Sequence, residues 1–100
     1  MENRTKPKAY WIARVTVTDP EQYKHYVAAT PGAFQKFGGV FLARAGETEQ
    51  MEGEGRPRNV VIEFPSLKAA IDCYNSPDYQ AAKAKRKDAG IADIVLVEGV

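Results

Sequence analysis

The chain has 100 residues, 44% of them hydrophobic, and 14 basic against 13 acidic side chains leave a formal net charge of +1. That length makes one small folded domain, and the even charge argues against both a disordered chain and the concentrated basic face of a nucleic-acid binder. One cysteine allows no internal disulfide and no apolar run approaches the ~18 residues of a membrane span, so the expected setting is the cytoplasm, with neither nucleic acid nor membrane as partner.

Residues 1–8 are charged and lead into no signal-peptide core, so a flexible tail is expected there, followed by a single domain over 9–100. Residues 10–17 are rich in β-branched and aromatic types and predict a strand. Asp19-Pro20-Glu21 then supplies a capping oxygen, a proline at the first helical position and an acid in the first turn. Tyr23, Tyr26, Val27, Thr30, Phe34 and Phe37 continue at helical spacing, with a kink or restart expected at Thr30-Pro31 and an end at Gly38-Gly39. Residues 40–45 and 59–64 predict two more strands. The segment 46–58 between them, with four glutamates and three glycines, suits a mobile exposed hairpin loop. Pro65 stops the third strand, and Ser66 caps a helix with the apolar stripe Leu67, Ala70, Ile71 and Tyr74. Ser76-Pro77-Asp78 restarts that helix, which runs toward Gly90 as its C-terminal glycine, before a last strand over 91–97.

Two β-α-β halves of this kind predict an α+β, ferredoxin-like βαββαβ sandwich: a four-stranded antiparallel sheet with two helices on one face. Trp11, Ala13, Val15 and Val17 form one apolar face of the first strand, yet Tyr10 and Ile12 lie on the other. The second and last strands are likewise apolar on both sides, whereas a sheet with one wet face alternates cleanly. Tyr10, Ile12, Val40, Leu42, Ile94 and Leu96, or their opposite set, therefore need cover that two helices cannot give. A homodimer through that sheet face is the expected solution.

Four segments in order, YWIARVTVTD, FLARAG, RNVVIEFPS and YNSPDYQAAK, resemble the 1330 family of domains of unknown function over roughly residues 9–99. The resemblance implies a dimeric α+β barrel, in which two ferredoxin-like sheets face each other across the dimer interface. It implies no activity. The wider fold group includes cofactor-independent monooxygenases, lactone isomerases and haem-binding enzymes, but fold alone does not carry an activity over.

Arg44 is the most informative single position, because alternation from Val40 and Leu42 asks for an apolar group there. A buried guanidinium needs an anionic partner. Glu63, in the apolar run Val60-Val61-Ile62-Glu63-Phe64, is the internal candidate if register places the two on one face. The pair reads either as a structural ion pair or as part of an anion site for a substrate carboxylate, which suits the arginine fork. Tyr26, Tyr74 and Tyr79 combine apolar bodies with hydroxyls and serve packing or ligand orientation equally. Ser76 either caps the restarted helix or, with its amides, holds an anion. Arg86, seven residues beyond Tyr79, shares its helical face, while Lys83, Lys85 and Lys87 around it read as a solvated helix end. His25 and Cys73 stand alone, without partners at metal-binding or nucleophile spacing. No cofactor motif is present. The expected function is thus binding of a small, perhaps carboxylate-bearing, molecule between sheet and helices through Arg44, Glu63, Tyr26, Tyr74, Ser76, Tyr79 and Arg86, with cofactor-free catalysis open to it. The alternative is a dimeric structural module without small-molecule chemistry.

Overall fold

A computed structural model describes residues 7–100 in the order β1 (Ala9–Val17), α1 (Pro20–Lys36), β2 (Val40–Arg44), β3 (Arg58–Phe64), α2 (Leu67–Asn75), α3 (Pro77–Ala84) and β4 (Gly90–Glu98). The strands form one antiparallel sheet in the order β2-β3-β1-β4. The tail expected over 1–8 lies outside the described residues up to position 6. Lys8 already belongs to the domain, since its carbonyl accepts the Gly99 N–H at 2.7 Å and its ammonium lies 3.5 Å from the Glu63 carboxylate.

Strand alternation sends Trp11, Ala13 and Val15 of β1 and Val60, Ile62 and Phe64 of β3 under the helices, where all are buried. Trp11 is the hub of this core. Its ring centroid lies 5.0 Å from Phe34, 4.9 Å from Tyr79 and 5.7 Å from Tyr74. Such edge-on and tilted packing favours aromatic pairs beyond the area they bury. On the opposite, open face the register aligns Tyr10 with Glu63 and Val97, and Ile12 with Val61 and Val95. Ile94 and Leu96, grouped above with Tyr10 and Ile12, instead pair with Ala13 and Trp11 and pack against the core; Ile91, Val95 and Val97 stand on the open face.

Asp19 Oδ1 accepts the Gln22 N–H at 3.2 Å and caps α1 as the sequence predicts. The restart expected at Pro31 does not occur. Proline has no N–H to offer the Val27 carbonyl, and the buried Thr30 hydroxyl donates to that carbonyl instead, at 3.3 Å, so α1 continues to Lys36. Gly38, at φ +83°, ends the helix in the left-handed region that other residues avoid.

The second helix is two helices hinged on Ser76. Its hydroxyl accepts the Tyr79 N–H at 3.1 Å and donates to the Cys73 carbonyl at 2.7 Å, so one side chain caps α3 and closes α2. Ser76→Ala should lower stability by about 1–2 kcal/mol in urea denaturation; a change under about 0.5 kcal/mol would contradict this double role. Beyond Ala84 the chain does not run on as an α-helix but turns through shorter bonds, Lys85 N–H to the Ala82 carbonyl and Ala89 N–H to the Arg86 carbonyl among them. Gly90 is consequently no helix cap. It opens β4 against Val17, where an added Cβ would stand 2.8 Å from the Thr16 carbonyl oxygen.

Two features of the β2–β3 hairpin position the site. The first is a β-bulge: Phe41 pairs with Ile62, but Ala43, not Leu42, pairs with Val61, and Arg44 pairs with Val60. The extra residue reverses the alternation and turns Arg44 to the helix side. The second is the loop, whose last part is fastened to the open face: Arg56 donates through Nε to Asp93 at 2.8 Å and through a terminal nitrogen to Thr16 at 3.0 Å.

Candidate functional site

Three arginines meet at one end of the sandwich. Arg44 arrives from β2 by way of the bulge, Arg58 from the first position of β3, and Arg86 from the turns after α3. With Tyr23 and Tyr26 they line a cavity of about 30 Å³ between sheet and α1, whose remaining wall is apolar apart from Thr30 and includes Trp11, Phe34 and Ile62. Tyr23 and Tyr26, three residues apart, share one face of α1 with ring centroids 5.2 Å apart. Arg58 stands 5.4 Å from the Tyr23 ring centroid, Arg86 5.0 Å from that of Tyr26, and Arg44 4.3 Å from that of Phe41. Aromatic faces attract cations but do not neutralise them.

No carboxylate among the described residues lines this cavity. Among the described residues the ion pairs are Lys8–Glu63, Lys24–Glu21, Lys36–Asp78, Arg56–Asp93 and Lys68–Asp72, and none uses Arg44, Arg58 or Arg86. Arg58 Nε is in addition buried with no hydrogen-bond partner, an arrangement that ordinarily costs about 1–3 kcal/mol or more. The cavity therefore has a cationic end without counter-charge and an apolar floor.

Two of the hydroxyls beside the arginines, those of Tyr23 and Tyr26, are held above the ordinary phenol range. Tyr26 and Tyr79 share a buried hydrogen bond at 2.8 Å. Burial, followed by the neighbouring Tyr79, holds the Tyr26 phenol well above its ordinary range. Burial also raises Tyr23, while Arg58 and Arg86 both act on it in the opposite sense, which brings the two cations to the same hydroxyl. For Arg86 burial alone would lower the pKa, and the Tyr79 and Tyr26 hydroxyls more than offset it.

The interior reaches the surface on two sides. Beside α1 it meets a groove of about 620 Å³ at Tyr23, Val27, Arg44 and Arg58; beside β4 it meets a cleft of about 420 Å³ at Arg86, Ala92 and Ile94. Tyr74 lines the second cleft with Lys83, whose ammonium lies 5.4 Å from its ring centroid.

Arg44, Tyr26, Tyr79 and Arg86 are thus gathered in one place, with Tyr74 at its second opening. Glu63 is not with them. It lies on the open face, where its carboxylate accepts the Tyr10 hydroxyl at 3.1 Å and faces Lys8, so the Arg44–Glu63 pair does not form. Register is the reason: Glu63 pairs with Val40, and the bulge sends Arg44 to the other side. Ser76 spends its hydroxyl on the two helix ends. Arg58 and Tyr23 were absent from the sequence-based set. For Arg58 the signal existed, since it lies two and four residues before Val60 and Ile62 and so shares their face, but it reads equally as the end of a polar loop. His25 is exposed. Cys73 is buried, its thiol pushed up to about 12 by burial and then by Asp78, so it is no nucleophile. Among the described residues no three His, Cys, Asp or Glu side chains come together as metal ligands, and no helix is long and apolar enough to cross a membrane.

Residues 8–100 match the model of the family described as Domain of unknown function (DUF1330), and the chain belongs to that family. No curated protein matches the sequence. Among solved structures the chain is similar to the RPA0582 protein of unknown function from Rhodopseudomonas palustris, at 17% identity and a TM-score of 0.75, covering 98% of this chain and 86% of that one. It is similar also to SnoaB, a cofactor-independent oxygenase from Streptomyces nogalater, at 14% identity and a TM-score of 0.68, covering 94% of each chain. A dimeric ferredoxin-like protein of unknown function from Thermobifida fusca shares 18% identity with a TM-score of 0.56, covering 100% of this chain and 96% of that one. These likenesses show the ferredoxin-like fold.

Proposed function

We propose that this DUF1330 protein is a cytoplasmic homodimer that binds a small carboxylate-bearing molecule in the cavity between its sheet and α1. One observation carries the reading: three guanidinium groups converge on an apolar cavity that contributes no carboxylate of its own. A ligand carboxylate supplies the missing charge, and bidentate arginine contacts fix its orientation. The apolar body of the ligand lies along the Trp11 and Phe34 side. About 30 Å³ holds one or two waters, so entry goes with a shift of the groove wall beside α1, where Arg44 stands exposed. The hydrogen-bonded Tyr26–Tyr79 hydroxyls beside Arg86 would orient a polar group of the ligand in a cofactor-free reaction.

The dimer reading draws on the apolar open face and on the likeness to the dimeric ferredoxin-like protein from Thermobifida fusca. The cytoplasmic setting fits a chain whose one thiol is buried and unpaired. The competing reading, a dimeric module without small-molecule chemistry, draws on Glu63, which is satisfied internally by Tyr10 and Lys8.

Thermal-shift measurement with a panel of small carboxylic acids separates the two. A ligand at 100 times its Kd stabilises by ~2.7 kcal/mol, which moves Tm by several degrees. Arg86→Met should abolish the shift. A panel in which no acid moves Tm would favour the module.

A further inference from the structure

We propose that the ligand of this cavity is a dianion carrying two separate carboxylates on a short apolar body; this rests on the reading of the cavity as a carboxylate site. The argument begins with the charge count. Arg44, Arg58 and Arg86 bring three positive charges to the lining, and a monocarboxylate neutralises one of them. Arg44 is exposed and its charge is solvated, whereas Arg58 and Arg86 are partly buried. Two desolvated cations therefore still need counter-charge, and two unpaired like charges in one cavity repel.

Geometry then distinguishes two acids from one. The buried guanidiniums enter from opposite layers, Arg58 from the sheet and Arg86 from the chain after α3. They are seated over different rings, those of Tyr23 and Tyr26, whose centroids are 5.2 Å apart. A planar fork grips a carboxylate in its own plane, so two forks seated over separate rings are each filled best by a carboxylate of their own, a few bonds apart on one ligand. The buried, unpartnered Arg58 Nε is a donor that a second carboxylate would satisfy. A phosphate monoester carries comparable charge on a single centre and leaves the second fork unused.

Isothermal titration calorimetry at fixed ionic strength tests this with three probes of similar body: phenylacetate, phenylsuccinate and phenylphosphate. Phenylsuccinate should bind at least about tenfold more tightly than phenylacetate, the range for one further charge-assisted hydrogen-bonded pair. Arg58→Met should remove that advantage, so that in the variant phenylsuccinate and phenylacetate bind within about twofold of each other. Arg58→Lys, which keeps the charge and loses the fork, should retain only part of the advantage and serves if the methionine variant does not fold by circular dichroism. Equal affinities for phenylsuccinate and phenylacetate would overturn the dianion and leave the carboxylate site standing. Tighter binding of phenylphosphate than of phenylsuccinate would overturn the two-centre arrangement. Failure of all three probes to bind would remove both this proposal and the reading beneath it.

Discussion

Light scattering behind a sizing column should return about twice the 11.0 kDa chain mass, and Val95→Asp should return the monomer mass with a markedly lower, concentration-independent Tm. Val95, on the edge strand β4, pairs with Ile12 on the open face and is 55% exposed in the single chain. Ile91 and Val97 flank it, while Val40 and Leu42 on the opposite edge strand β2 are also exposed, each of the four by 44% or more. Exposed apolar groups on both edges of one face call for cover, and a self-complementary twofold contact is the commonest way to give it. Burying ~1,000 Å² of apolar surface is worth ~25 kcal/mol gross, much of it cancelled by association and ordering. Twofold symmetry brings two copies of any substituted residue into the contact. An aspartate at position 95 therefore buries two unpaired like charges, at several kcal/mol each. A native monomer peak at micromolar concentration would end this reading of the face.

Trp11→Ala should cost about 3–5 kcal/mol in urea denaturation, enough to leave much of the chain unfolded at 25 °C given a total stability of about 5–15 kcal/mol. Trp11 is 1% exposed and its ring touches Phe34, Phe64, Tyr74 and Tyr79 together. Truncation removes the contact common to the sheet, α1, α2 and α3, and neighbours of that stiffness cannot collapse to fill the void. A loss below about 1 kcal/mol would mean that another residue is the hub. Trp11→Phe, which keeps a ring in place, should cost clearly less.

Faces and elements were largely legible because strands have a period of two and helices of 3.6. Trp11, Ala13 and Val15 announce their side of β1, Asp19-Pro20 announces the start of α1, and Ser76-Pro77 announces the hinge between α2 and α3. What stayed hidden depended on contacts between distant segments. Val40-Phe41-Leu42-Ala43 is apolar on both sides up to Arg44, so nothing local marks Leu42 as an extra residue; only pairing with β3 does. For the same reason Glu63 looked like the partner of Arg44 and is not. Pro31 carries a breaker signal that the Thr30 hydroxyl overrides. Ile94 and Leu96 could not be separated from Val95 and Val97, because both sides of β4 are apolar and only register against β1 sorts them.

The bulge at Leu42 has an evolutionary corollary. Counting from Phe41, one residue more or fewer decides whether the guanidinium of Arg44 faces the cavity or the sheet surface at which copies would meet. In β2 a single-codon deletion would withdraw a cation from the pocket mouth and set it on the open face of the sheet. If copies meet through that face, as proposed, pocket charge and subunit contact change in the same step.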